Sequence, residues 1–209
     1  LRFGETVLPF LGYIRTSENN PLHELDIRLV TRDAVLAPRD AEGLAPLGVE
    51  LIGVNGRFDI SSRYLSVDAF ELRTGESRIL GSASVNFQSQ FPSVAGAVSA
   101  TAIESSKVKQ IWPPTLAGGA RRWFVRNVKQ GQIEGADVTF AIPAGLVGNR
   151  DPEKKFPKDA FSGTLRFSDA KMRTFGDVPD LSASTGQLGF DEFGLTASLE
   201  QGSAVSPSG

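Results

Sequence analysis

The 209-residue sequence has no cysteine, a single histidine and a single methionine, and only two tryptophans and two tyrosines. Without cysteine there is no disulfide framework, no zinc–thiolate centre and no thiol nucleophile. His23 is the only histidine, so a Ser-His-Asp arrangement would have to run through it. Its place beside Pro21-Leu22, at the edge of a strand pattern, gives it an ordinary surface role. One histidine among scattered carboxylates is also a poor metal site, so no metal is assigned. Gly118-Gly119 lacks the glycine spacing and the lysine of a phosphate-cradling loop. The Asp191-Glu192 pair falls in a turn, where acids are favoured for local reasons. No catalytic residue is assigned, and the expectation is a non-enzymatic protein without a cofactor. The shortage of Trp and Tyr likewise leaves no material for the two aromatic girdles of a transmembrane β-barrel.

Charge is missing from one long run, Ile79 to Ile103. Its serines, glutamines, Asn86 and Pro92 argue against a spanning helix, and its alternation fits two strands broken at Phe91-Pro92. The formal net charge of −2 gives no reason to expect a nucleic-acid partner. The charge is uneven, however. From Glu104 to Gly131 there are Lys107, Lys109, Arg121, Arg122, Arg126 and Lys129 against the acid Glu104 alone. These cations read either as a solvated helix face or as a contact for anionic headgroups or an acidic partner. The chain starts at Leu1 with no signal peptide or anchor ahead of the first strand pattern, which points to a processed or excised segment of a longer protein.

What the sequence has in abundance is strand periodicity. Leu25, Ile27 and Leu29 alternate with Glu24, Asp26 and Arg28, the pattern of a half-buried strand. Gly48 to Asn55 and Arg57 to Ser61 read as a strand pair. Leu65 and Val67 share one parity and Phe70 and Leu72 the other, which predicts a bulge near Asp68-Ala69. Thr74-Gly75-Glu76 reads as a hairpin turn, and Ala83, Val85 and Phe87 line one side of the strand after it. Val138 and Phe140 alternate with Asp137 and Thr139, and Leu165 and Phe167 repeat the pattern. About ten to twelve strands are expected, set against one helix. Pro113-Pro114 opens that helix, which spans Thr115 to Val128 and ends at Lys129-Gln130-Gly131. Leu116, Ala120, Trp123, Phe124 and Val128 form its apolar stripe, with Arg121, Arg122 and Arg126 off it.

The fold class expected is therefore mainly β, a long curved antiparallel sheet, groove-like or a sandwich if closed, with one amphipathic helix near the middle. Residues 1–201 make one β-rich segment with a helical insert at 113–130, and 202–209 form a flexible tail. A helix of about fourteen residues is about 20 Å long and covers only a few strands. The remaining apolar face must close on itself or hold something apolar.

The run from Trp112 to Pro143, WPPTLAGGARRWFVRNVKQGQIEGADVTFAIP, resembles the Trp-Pro, Ala-Arg-x-Trp, Asn-x-x-x-Gly motif region of the AsmA-like superfamily, in its large YhdP-type periplasmic members. The stretch from Phe161 to Leu199 is similar to that family's later strand and hairpin pattern, and Gly56 to Phe87 to its generic strand repeat. The resemblance implies a periplasmic segment of an envelope-spanning protein anchored in the inner membrane of a Gram-negative bacterium. It implies a curved β-groove carrying phospholipid acyl chains towards the outer membrane; separately, exposed sheet edges would pair with neighbouring segments of the same chain or another subunit. On the basis of the resemblance Leu25, Ile27, Leu29, Val85, Phe87, Val138, Phe140, Leu165 and Phe167 are the candidate groove lining. Leu116, Trp123 and Phe124 are the candidate helix cap, and Arg121, Arg122 and Arg126 the candidate headgroup contacts. The alternative is a non-enzymatic structural or interaction domain with a closed core.

Overall fold

A computed structural model describes residues 2–3, 6–37, 45–112, 118–147, 155–173, 180–191 and 194–205. In chain order the strands are β1 (Arg2–Phe3), β2 (Thr6–Val7), β3 (Phe10–Thr16), β4 (Glu24–Leu36), β5 (Leu47–Asp59), β6 (Tyr64–Thr74), β7 (Ser77–Asn86) and β8 (Ser93–Glu104). Two helices follow, α1 (Ser105–Ile111) and α2 (Gly118–Asn127), and then β9 (Val128–Ile142), β10 (Phe161–Met172), β11 (Asp180–Asp191) and β12 (Gly194–Val205). All twelve strands belong to one sheet. From β4 onward each strand pairs antiparallel with the next, while β2 and β3 both pair with β4. The path ends at β1 on one side and β12 on the other, so the sheet is open rather than a sandwich or barrel.

Several sequence expectations hold in detail. The charge-free run is the β7–β8 hairpin, broken around Phe91-Pro92. β6 carries its bulge where the parity switch places it: Asn55 pairs with Ala69 and Gly56 with Val67, which leaves Asp68 as the extra residue. The β6–β7 turn is Gly75-Glu76, with Thr74 opposite Ser77. Others are corrected. Gly48 to Ser61 is mostly one strand, β5, because Gly56 is not a turn: a Cβ there would meet the Ser66 carbonyl oxygen, so the missing side chain permits close strand approach. The tail expected from Gly202 is strand as far as Val205, paired to the start of β11.

The largest correction concerns the helix. The described residues hold two short α-helices, and the expected helical span from 113 to 130 is described as helix only from Gly118 to Asn127. Val128 already belongs to β9. Gly131, expected as a left-handed helix stop, has φ +147° inside that strand, packed on Ala170 of β10. Residues 113–117, where the sequence places the helix entry at Pro113-Pro114, lie outside the described residues, and Gly118-Gly119 are the first described residues of α2.

Near one end the sheet is creased. Asp33 (β4), Ala102 (β8) and Asp169 (β10) have φ of 52°, 52° and 49°, the left-handed region that few residues other than glycine occupy. Each is followed by a buried residue: Ala34, Ile103 and Ala170. Strict alternation would send Ala34, Val49 and Ile103 to the opposite face from Ile52, Leu72 and Ile79. The crease instead brings all six into one cluster, the main core. Buried hydroxyls satisfy backbone carbonyls along the line. Thr74 Oγ1 donates to Gly48 O at 2.8 Å and Ser77 Oγ to Ala102 O at 2.7 Å.

Helix α1 closes this end. Its Val108 and Ile111, three apart on one face, pack on the core cluster. Lys107 ties it to Glu104 at 3.1 Å, and Gln110 Nε2 donates to Ala45 O at 3.0 Å.

Candidate functional site

Cross-strand partners share a sheet face, so the register alone separates two surfaces. One row reads Leu25, Phe58, Leu65, Val85, Val94, Ile142. The next reads Ile27, Gly56, Val67, Ala83, Gly96, Phe140, Phe161. A third reads Leu29, Val54, Phe70, Gly81, Val98, Val138, Gly163, and a fourth Thr31, Ile52, Leu72, Ile79, Ala100, Ala136, Leu165, Leu188. Thr31 is the only polar side chain in these four rows. The other face carries Asp26, Arg57, Ser66 and Ser84 in one row and Glu71, Leu80, Ser99, Asp137, Thr164 and Gly189 in another. Its charges are partly paired, with Arg57 to Asp68 at 3.2 Å and both Arg73 and Arg78 to Glu71 at 3.3 and 3.1 Å.

All nine candidate lining residues fall on the apolar face. Leu25, Ile27, Leu29, Val85, Val138, Phe140 and Leu165 are half-buried. Phe87, just beyond β7, is also half-buried and meets Phe58 edge-on at 6.4 Å. Phe167 differs: it is buried, its ring tip over Gly186, and belongs to packing near the crease. Contacts between elements run chiefly between neighbouring strands, with the helices meeting β8 and β9. Most of the apolar face therefore has no second layer over it among the described residues.

The helical residues divide differently from expectation. Leu116 lies outside the described residues. Trp123 and Phe124 are half-buried, and Phe124 packs on the Trp112 ring at 6.0 Å. The residues that cover the core are Val108 and Ile111 of α1, which the sequence reading passed over. The signal was present as two apolar residues at helical spacing after Ser105-Ser106, but the strand pattern ending at Ile103 masked it. Arg121 is not a headgroup contact. It is 2% exposed, and its guanidinium donates from Nε to Trp112 O at 2.8 Å and from Nη2 to Lys109 O at 2.6 Å. It caps the carbonyl end of α1, where orphan acceptors and the helix dipole both favour a cation. Arg122 and Arg126 are exposed. Lys109 Nζ donates to Val128 O at 2.6 Å, and burial, aided by the charge of Lys129, lowers its pKa.

On the outer face the β6 bulge opens a depression of about 500 Å³ lined by Ser66, Asp68, Ser82, Ser84 and their neighbours. Hydrogen bonds first from Ser66 and then from Arg57 lower the Asp68 pKa. This carboxylate is a fixed anion, not a proton acceptor poised for catalysis. His23 is exposed in the turn before β4. No three His, Asp or Glu side chains gather as a metal site, and no helix is long and apolar enough to cross a membrane, among the described residues. No family model matches the chain, and neither a curated protein nor a solved structure matches it.

Proposed function

We propose that this chain is a periplasmic, non-enzymatic segment of an AsmA-like, YhdP-type envelope protein, and that its apolar sheet face holds phospholipid acyl chains in transit between inner and outer membranes. The observation that carries the reading is the four-row apolar face, continuous from β4 to β10 and lacking a second layer over most of its area. Leaving an acyl chain in water costs about 0.8 kcal/mol per CH₂, so a carrier must present unbroken apolar surface. Six strand spacings of about 4.8 Å give a surface about 29 Å long across the strands, about twice the half-thickness of a bilayer core. The resemblance of the run from Trp112 to Pro143 to the family's motif region is what supports the family, the periplasm and the inner-membrane anchor in this proposal. The test is mass spectrometry of lipid co-purified with the chain under native conditions, followed by stripping and reloading from vesicles. Stoichiometric phospholipid that Phe140→Asp or Val85→Asp displaces supports the proposal. A chain that takes up no lipid in either format refutes it.

A second reading, strand-to-strand assembly, rests on the β3 edge. Leu11 and Ile14 there are 79% and 62% exposed, and Phe10–Thr16 holds neither proline nor lysine to discourage pairing. Neighbouring segments of the same chain are the partners this edge suits. Concentration-dependent association abolished by Ile14→Pro, in lipid-free protein, supports it; a monomer at all concentrations refutes it.

A further inference from the structure

We infer that the amphiphile taken by the apolar face is anionic, with its phosphate seated at the lip formed by α2 and the adjoining ends of β9 and β10. The inference rests on the lipid-holding reading above and adds the class of lipid and the side from which its headgroup projects. Arg122 and Arg126 of α2, Lys129 of β9, Lys171 of β10 and Arg173 just beyond it are all exposed. They gather because Arg173 N donates to Asn127 O at 3.0 Å, joining the end of β10 to the end of α2, and Lys171 pairs with Gln130 next to Lys129.

None of these five has a carboxylate within ion-pair distance among the described residues, whereas Arg15, Arg57, Arg73, Arg78 and Lys107 each have one. Unpaired arginines such as Arg28 and Arg166 are scattered singly over the outer face; at the lip they are concentrated. Arg122 and Arg126 also stand one helical turn apart on α2, whose ten residues contain no acid. Like charges at that spacing destabilise an isolated helix, and an anion lying between them removes the penalty. Burial is the main cause of the lowered pKa of Lys109, and the charge of neighbouring Lys129 adds to it.

Position completes the match. Val108 and Ile111 carry apolar packing up to the helical end, and the cations begin beyond it. The opposite lip is mixed: Leu22 and Ile60 are 81% and 48% exposed there and Phe156 meets Phe161 edge-on at 5.5 Å, while the exposed Arg63, Lys155 and Lys158 stand among Glu24, Asp59 and Asp159. An amphiphile with chains on the sheet and a phosphate at the α2 lip meets a helix that carries cations and no acid, whereas a phosphate at the opposite lip would meet cations interleaved with carboxylates. Cations near a lipid surface act additively, so two or three engaged residues give roughly a tenfold to hundredfold preference for an anionic over a zwitterionic headgroup. The preference weakens with salt, as expected for exposed charges.

The test loads lipid-stripped chain from vesicles containing equal phosphatidylglycerol and phosphatidylcholine and reads bound lipid by native mass spectrometry. The expected result is at least tenfold enrichment of phosphatidylglycerol. Arg122→Gln/Arg126→Gln/Lys129→Gln should abolish the enrichment while total bound lipid stays constant, and Arg28→Gln/Arg166→Gln should leave it intact. Equal uptake of both lipids, or enrichment unchanged in the triple variant, overturns this inference and leaves the lipid-holding reading standing. Uptake of neither lipid overturns both. Soluble glycerol phosphate competing as strongly as the lipid itself would mark a free-phosphate site and also overturn it.

Discussion

Truncating Ile103 and truncating Leu29 should have different consequences, although both substitutions remove three carbons. Ile103 is 3% exposed inside the crease cluster with Ala34, Val49, Ile52, Leu72 and Ile79. At about 0.8 kcal/mol per buried CH₂, Ile103→Ala loses about 2.4 kcal/mol of transfer free energy. The sealed cavity brings the total to roughly 3–4 kcal/mol. Leu29 sits half-buried in an uncovered row of the apolar face. Water enters the space left by Leu29→Ala, so no cavity is sealed, and the loss shrinks to roughly 1–1.5 kcal/mol. For a chain of this size each kcal/mol moves Tm by about 2–4 °C, giving a fall of about 6–16 °C against about 2–6 °C. Urea unfolding, followed by circular dichroism for the sheet and by the fluorescence of Trp112 and Trp123 for the helical end, measures both variants at unchanged m-value. Lipid-loaded protein should narrow the gap, because a bound chain covers Leu29 and leaves Ile103 as it was. Equal costs for the two variants in stripped protein would show that the apolar face is already covered, and the lipid reading would lose its basis.

Arg121→Met removes two charge-assisted hydrogen bonds from the carbonyl end of α1 and should cost about 2–3 kcal/mol, with a red shift of tryptophan emission; an unshifted, fully stable variant contradicts the capping role. Gly131→Ala places a Cβ at φ +147° and 3.2 Å from Ala170 Cα, so a loss of about 1–3 kcal/mol is expected. Gly53→Ala, with open space around it, should be neutral or slightly stabilising, and equal effects at the two sites would remove the backbone argument. The Asp59 carboxylate accepts from Ser61 Oγ at 2.6 Å and from Ser62 N at 2.8 Å, and these bonds, Ser61 foremost, lower its pKa to about 2. Its folded pKa lies below the unfolded value near 4. The turn contribution is therefore complete above about pH 4 and lost as pH falls towards 2. A side-chain NMR titration of Asp59 with a midpoint near 4 would show that the turn does not hold it.

Strand content, the order of the hairpins and the β6 bulge were legible because they depend on period-two alternation, which a half-buried sheet enforces residue by residue. That the lining residues share one face was legible for the same reason: Val85 lies between Ser84 and Asn86, and Phe140 follows Thr139 at the spacing that repeats from Val138. The crease was not. Asp33, Ala102 and Asp169 carry no glycine signal, and the left-handed conformation at these positions is imposed by packing of the buried residue that follows each of them. Helix α1 was hidden because seven residues with two apolar positions fall below what periodicity can distinguish. Arg121 was misplaced because its role depends on α1, and a helix absent from the sequence reading leaves its cap looking like a solvated charge. Gly131 misled in the opposite direction, since a glycine after a helical pattern reads as a stop when its backbone is in fact needed for the close approach of β10.

The crease explains why the two lips of the sheet differ. A sheet of uniform alternation would present the same apolar surface to both strand ends, and a ligand would have no preferred orientation on it. By switching parity at Asp33, Ala102 and Asp169, the strands bury Ala34, Ile103 and Ala170 at the helical end and leave the rows nearer Leu25 and Phe58 half-open. The cost is a set of non-glycine residues in the left-handed region, of order 1–2 kcal/mol each. It is borne where Ser77, fully buried, donates to the Ala102 carbonyl and α1 packs directly above. A closed end and a half-open apolar face thus arise from one backbone device, and that asymmetry is what the proposed headgroup-and-chain ligand would need in order to bind in one orientation.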